Sequence, residues 1–132
     1  MQKSNKQRVL ILGIGGMLGH KLGLRLSNNF DVIGTLRTPM SSMISEYFAG
    51  RLSEIDLIRA EHPDSVNSVV ERLKPDVVVN CIGIVKSLEK LAGHVSNIQI
   101  NALLPHLLYA ICKRRNCRLI HISTDCVFDG TK

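Results

Sequence analysis

The feature that most constrains this chain is Gly13-Ile14-Gly15-Gly16-Met17-Leu18-Gly19, which follows the apolar run Val9-Leu10-Ile11-Leu12 and precedes a stretch with helical spacing. Glycines at Gly13, Gly16 and Gly19 let backbone approach backbone, both in the turn and where the helix returns across the strand. The N–H groups that open such a helix have no partner within it and carry the positive end of its dipole. Two readings of the turn alone stay open: a seat for a pyrophosphate built from backbone, or a strand–turn–helix corner with small residues for close packing. The setting directly after an apolar strand, inside a first βαβ unit, is the one the first reading requires.

The rest of the pattern extends that unit. Strands are predicted over 8–12, 31–36, 55–58, 77–81 and 118–123, and helices over 16–28, 63–73 and 95–115. Leu18, Leu22 and Leu26 recur four apart on one face, and Val66, Val69, Val70 and Leu73 do the same behind Pro63, which suits a first helical turn. The unbroken Val77-Val78-Val79 is what a parallel strand buried on both faces looks like. Met40, Met43, Ile44, Tyr47 and Phe48 form a helical stripe ending at Gly50 and read as core packing rather than a ligand box. Pro105 implies a kink or a late start in the long helix. Strands alternating with helices predict an α/β fold, a doubly wound parallel sheet of the Rossmann type with strand order 3-2-1-4-5 and its crevice at the carboxyl ends of the strands. Residues 1–132 make one such domain, without repeat or low-complexity tract.

Charge narrows the partners. Seventeen basic against eleven acidic side chains leave a net charge of +6, which favours an anionic partner. Nucleic acid is one such partner, but Phe30, Tyr47, Phe48, Tyr109 and Phe128 are not interleaved with Lys or Arg as a stacking platform demands, and an anionic small molecule suits the charge equally well. The cluster Lys113-Arg114-Arg115, with Arg118 close by, falls at a predicted helix end, where cations complement the dipole. Cys81, Cys112, Cys117 and Cys126 form no C-x-x-C pair and sit in or beside apolar runs. They are expected as buried or half-buried free thiols, with no metal and no disulfide, which points to a reducing compartment. Residues 1–7 lack the apolar segment of a signal peptide, and no segment is expected to reach the length needed to cross a bilayer, so a cytoplasmic protein is expected.

In this architecture the informative residues follow the strands. After the second comes Arg37, where an acidic residue would bind ribose hydroxyls; an arginine there favours a 2′-phosphate, hence NADP(H) over NAD(H), against the plainer reading of a solvated surface side chain. After the fourth come Cys81, Ile82 and Gly83, small and apolar enough for a cofactor to lie against backbone. After the fifth come Ser123 and Thr124, whose hydroxyls can donate to a carbonyl oxygen as charge develops on it, although Ser and Thr at a strand end also serve as turn formers.

The glycine turn, Pro75-Asp76-Val77-Val78-Val79-Asn80-Cys81, Asn101-Ala102 and the stretch from Leu119 through Ser123-Thr124-Asp125-Cys126-Val127-Phe128-Asp129-Gly130 together resemble the extended short-chain dehydrogenases/reductases. Within them the chain is most similar to the sugar-nucleotide reductases of the dTDP-4-dehydrorhamnose reductase type. The likeness spans essentially the whole chain, and its last segment is far more specific than the glycines. It implies that Thr124 is the catalytic hydroxyl and that Gly16, Met17 and Leu18, between Gly13 and Gly19, form the pyrophosphate turn. Ile82, Gly83 and Ile84, after Cys81, would line the cofactor, and Asn101 would lie near the active site. Cys126 stands where the family usually has Tyr, and Arg59-Ala60 where it commonly has an Asp-hydrophobic pair near the adenine. The resemblance puts the family's catalytic Tyr-x-x-x-Lys pair beyond Gly130, and neither Tyr47 nor Tyr109 is assigned to it.

The chain is therefore expected to be the N-terminal, NADP-binding part of a reductase acting on a nucleotide-linked 4-keto-sugar, without the substrate-binding portion and inactive alone. Its partners would be that sugar nucleotide and other copies of itself, with no nucleic acid and no membrane. An epimerase or dehydratase of the same superfamily, or a non-catalytic dinucleotide-binding regulatory subunit, are the alternatives.

Overall fold

Arg8 shows how the sheet is stitched together at its amino end. Its backbone N–H donates to the Asp76 carboxylate at 2.7 Å, its Nε to Asp31 at 2.9 Å, and its Nη1 to the Leu73 carbonyl at 2.9 Å. In this computed structural model, which describes residues 6–39, 41–85 and 89–124, those contacts join the starts of three strands. The strands are β1 (Arg8–Leu12), β2 (Asp31–Leu36), β3 (Glu54–Leu57), β4 (Val77–Asn80) and β5 (Arg118–His121). All pairings are parallel and the order is β3-β2-β1-β4-β5, the predicted arrangement. Leu10, in the central strand, lies opposite Ile33 on one side and Val78 on the other.

Side-chain alternation along the strands builds two cores, as a sheet covered on both faces requires. Leu10, Leu12, Ile33 and Val78 face helices α3 (Pro63–Leu73) and α5 (Leu104–Arg115), which contribute Val66, Val69, Val70, Leu73, Leu104, Leu108 and Ile111. Val9, Ile11, Val32 and Val79 face the other way, against Ile14 and against Phe48 from α2 (Ser42–Phe48). Each such side chain, fully buried, contributes on the order of 1.5–3 kcal/mol. Arg115 pairs with Glu71, and Arg114 donates to Asn67 at 2.7 Å, so the basic cluster at the end of α5 straps that helix to α3, in keeping with its reading as a helix end.

Several boundaries differ from the expected ones, each for a local reason. Helix α1 spans Met17–Leu26, not 16–28, because Gly16 is extended and the chain turns after Ser27. Its buried residues are Gly19 and Gly23, while Leu18 is exposed and Leu22 and Leu26 pack only in part: the helix lies so near the sheet that glycines, not leucines, face it. Strand β3 begins and ends one residue earlier than predicted, β4 ends at Asn80 and β5 at His121. The expected helix 95–115 is three pieces: α4 (Glu89–Asn97), which contains Gly93 at φ 78°, a π-helical turn over Ile98–Leu103, and α5 with Pro105 in its first turn. Pro105 thus marks the late start rather than the kink. Tyr47 is exposed and only Phe48 of the α2 stripe is seen in the core; Met40 and the side chains of Met43 and Ile44 lie outside the description. Against expectation, the run Ala92–Arg115 is long and apolar enough to cross a bilayer by length and composition, with a mean hydropathy of 1.2. Only one face of it, with Ile100, Leu104, Leu108, Ile111 and Cys112, packs in the core, while Val95, Ile98, Leu103 and Tyr109 are exposed.

Among the described cysteines Cys112 is buried, Cys81 and Cys117 are half-buried, and all three are free; Cys126 lies outside the described residues. Burial, with the Cys117 sulfur hydrogen-bonded beside it, pushes the Cys112 thiol from 9.0 up to about 12. Between those values the unfolded chain releases this proton and the folded chain keeps it, so stability falls as pH rises through that window and is unaffected below it. Urea denaturation at a series of pH values from about 8 to 11 should show a shallower alkaline decline for Cys112→Ala than for the parent chain. Identical slopes would disprove the assignment.

Candidate functional site

The glycine turn is held from below by a residue the sequence reading did not single out. Thr35, buried near the end of β2, accepts the Gly13 N–H on its hydroxyl at 3.2 Å and the Ile14 N–H on its carbonyl at 3.0 Å. Gly13 adopts φ +83°, a conformation that disfavours any side chain. Its carbonyl accepts the Gly16 N–H at 3.1 Å and points at α1, where a Cβ on Gly19 would stand 2.2 Å from the oxygen. Ile14 is fully buried in the space left by two further glycines, since a Cβ on Gly23 or Gly34 would come within 2.7 or 2.6 Å of its Cδ1. A polar residue inside the buried stretch of a parallel strand was the signal for Thr35; a lone isoleucine among glycines offered none for Ile14.

Helix α1 opens with neither a side-chain cap nor an acid in its first turn. The N–H groups of that turn are therefore available to an anion. Met17 and Leu18, expected in this turn, sit there exposed.

Gly13, Gly15 and Gly16 line a cleft of about 400 Å³ at the carboxyl ends of the strands, within the range of small-molecule sites. Leu36, Arg37 and Thr38 close one end with Ala60 and Glu61, and Ile58 lies beneath. Cys81, Ile82, Gly83 and Ile84 form the opposite wall with Ile100. Seven of the expected cofactor residues thus line one cavity, with Met17, Leu18 and Gly19 in the turn beside it, and burial pushes the Cys81 thiol up from its ordinary value. Arg37 is a largely exposed side chain, as the plainer reading has it, and its Nη2 pairs with Glu61 Oε1 at 3.1 Å, a partner that went unpredicted.

Two asparagines set the far wall, Asn80 buried and Asn101 exposed. Asn80, with no exposure, accepts the Ile82 N–H on Oδ1 at 3.1 Å, while its Nδ2 lies 3.1 Å from His121 Nδ1 on β5. Asn101 does not line the cleft; its Oδ1 accepts the Ile84 N–H at 2.8 Å and its Nδ2 donates to the Ile84 carbonyl at 2.9 Å, so it holds the wall from outside.

Ser123 and Thr124 follow β5 without belonging to it, are exposed, and are not part of the cleft lining. Residues 125–130, including the Asp125 and Cys126 of the resemblance, lie outside the described residues. A Tyr-x-x-x-Lys spacing does occur before Gly130, at Tyr109 and Lys113. The pair lies on α5, ahead of β5 rather than beyond it, with Tyr109 exposed, the Lys113 amine 5.8 Å from its ring centre, and neither residue in the cleft lining. Its spacing on a helix brings cation and ring together without bringing either to the site.

The family model described as RmlD substrate binding domain matches residues 7–132. A dTDP-4-keto-6-deoxy-D-glucose reductase of Streptomyces niveus is 32% identical over 124 residues, which cover 94% of this chain and 37% of that protein. A dTDP-4-dehydrorhamnose reductase of Aggregatibacter actinomycetemcomitans is 31% identical over 126 residues, covering 95% of this chain and again 37% of the relative. The chain thus spans little more than a third of the length of these relatives. Among solved structures, a dTDP-4-dehydrorhamnose reductase of Bacillus anthracis in complex with NADP has the same fold, with a TM-score of 0.70 at 24% identity, covering 99% of this chain and 41% of the other.

The closeness of Gly19 to the Gly13 carbonyl makes a specific demand. Alanine is favoured over glycine within a helix by about 1 kcal/mol, yet Gly19→Ala should lower stability by about 1–3 kcal/mol, because its methyl must push the turn away from α1. Thermal and urea melts measure this, and a variant as stable as the parent would show that the turn is not closed here.

Proposed function

The chain belongs to the RmlD substrate binding domain family, and from that membership together with the cleft we propose that it is the NADP(H)-holding part of a reductase of nucleotide-linked 4-keto-sugars. The observation that carries the reading is the convergence of a backbone anion seat and an arginine in one cleft: Gly13 to Gly16 at one place, Arg37 at the end of β2 at another.

The residues present fit such a cofactor. A pyrophosphate would lie on the first turn of α1, where Met17, Leu18 and Gly19 offer N–H groups and no acid competes. The apolar Ile58 and Ala60 offer a wall for a base, and Arg37 beside them offers a fork to a 2′-phosphate. Cys81 through Ile84, fixed by Asn80 and Asn101, would lie along the nicotinamide half. When bound, NADPH supplies the hydride. In this reading Thr124, with Ser123 beside it, orients the sugar by donating a hydrogen bond to the carbonyl oxygen, where negative charge grows as the hydride reaches carbon. The relatives named above act on dTDP-linked 4-keto-6-deoxy sugars, and the same substrate class is assigned to the complete protein here. Because the chain spans little more than a third of those relatives, the proton donor and most sugar contacts are assigned to the remainder.

Calorimetric titration of NADPH and NADH against the parent chain and Arg37→Ala tests the cofactor assignment. NADPH affinity should fall roughly tenfold, about 1.4 kcal/mol, with NADH little changed; equal losses for both would refute the 2′-phosphate role. The 132 residues alone should bind NADPH yet give no oxidation of it with dTDP-4-keto-6-deoxy-D-glucose, and detectable turnover would show that this stretch already holds a complete active site.

A further inference from the structure

Arg37 does not stand alone at its end of the cleft. Glu61 reaches it from the loop after β3, which is folded back by a hydrogen bond from the His62 N–H to the Arg59 carbonyl at 3.0 Å. The contact is a single one, Nη2 to Oε1 at 3.1 Å, between a guanidinium 72% exposed and a carboxylate only 21% exposed. Both residues line the cleft, and the shielded partner is the acid.

We propose that Glu61 is a specificity-determining residue, which competes with the cofactor's 2′-phosphate for Arg37 and so narrows the preference for NADP(H) over NAD(H). The inference rests on the seating of that phosphate at Arg37 proposed above. A phosphate monoester near neutral pH carries close to two negative charges. To take a two-point grip on the guanidinium it must displace Glu61 or sit beside it, and either course opposes binding through lost pairing or like-charge repulsion. A ribose bearing only hydroxyls meets neither obstacle. The geometry therefore makes Arg37 a phosphate reader whose charge is partly spent before the ligand arrives.

Glu61→Gln keeps the shape and removes the charge. Titrations of NADPH and NADH should show NADPH bound about three- to tenfold more tightly than by the parent, with a steeper loss of affinity on adding salt, and NADH within about twofold. The same substitution in an Arg37→Ala background should give no gain, since the effect runs through the guanidinium. An unchanged or weakened NADPH affinity in Glu61→Gln, or a gain that persists in full without Arg37, would overturn the inference. If Arg37→Ala alone leaves the NADPH-to-NADH ratio unaltered, the phosphate seat itself falls and this inference with it; if that ratio collapses while Glu61→Gln changes nothing, only the role of Glu61 is lost. Circular dichroism of each variant separates these outcomes from misfolding.

Discussion

A carbonyl oxygen pressed against a helical glycine governs most of this molecule. The Gly13 carbonyl lies where a side chain on Gly19 would have to be, and that contact sets how near α1 runs to the sheet. At that distance only glycines can face inward, which is why Gly19 and Gly23 are the buried residues of α1 and its leucines lie to the side. The gap between helix and strand is then filled by one side chain, Ile14, lodged against Gly23 and Gly34. The core on this face and the opening of the cleft are consequences of one close approach, so packing and anion seat are not separable properties of the turn.

The cleft divides its tasks between backbone and side chains. Its central part is made of peptide groups whose positions are fixed by buried polar partners, Thr35 under the turn and Asn80 under the opposite wall. Each partner satisfies a backbone N–H that would otherwise be orphaned where the strand ladder ends, and burial makes such bonds costly to break. In the proposed reading selectivity falls to the open end, where the largely exposed Arg37 pairs with Glu61 through one contact.

What the sequence disclosed and what it withheld follow from the range of the forces involved. The parallel order was legible because three consecutive valines in β4 and the alternation of strands with helices admit few other solutions. The start of α3 was legible because Pro63 acts on its own backbone. The position of residues just after parallel strands, with the family resemblance beside it, located most of the cleft, and the structure gathers Gly13, Gly16, Arg37 and Cys81 to Ile84 around it. Long-range pairing was not legible. Nothing local marks Glu61 as the partner of Arg37, or Ile14 as the plug between two glycines. Leucines spaced four apart suggested the wrong inner face for α1, since periodicity does not say how near the sheet lies. Tyr109 and Lys113 show the converse, a familiar spacing placed by topology on the wrong helix.

Asn101 gives the cleft wall an unusual mechanical status. Its amide offers Ile84 one acceptor and one donor, the pair of groups a neighbouring peptide would offer, so a single side chain acts as a surrogate strand where the ladder has already ended. The wall from Cys81 to Ile84 is consequently fastened by a latch rather than by a zip. Its end at Ile84 can come away as a local opening that leaves every strand pairing intact, while the Cys81 N–H stays on the Leu12 carbonyl and the Ile82 N–H on Asn80.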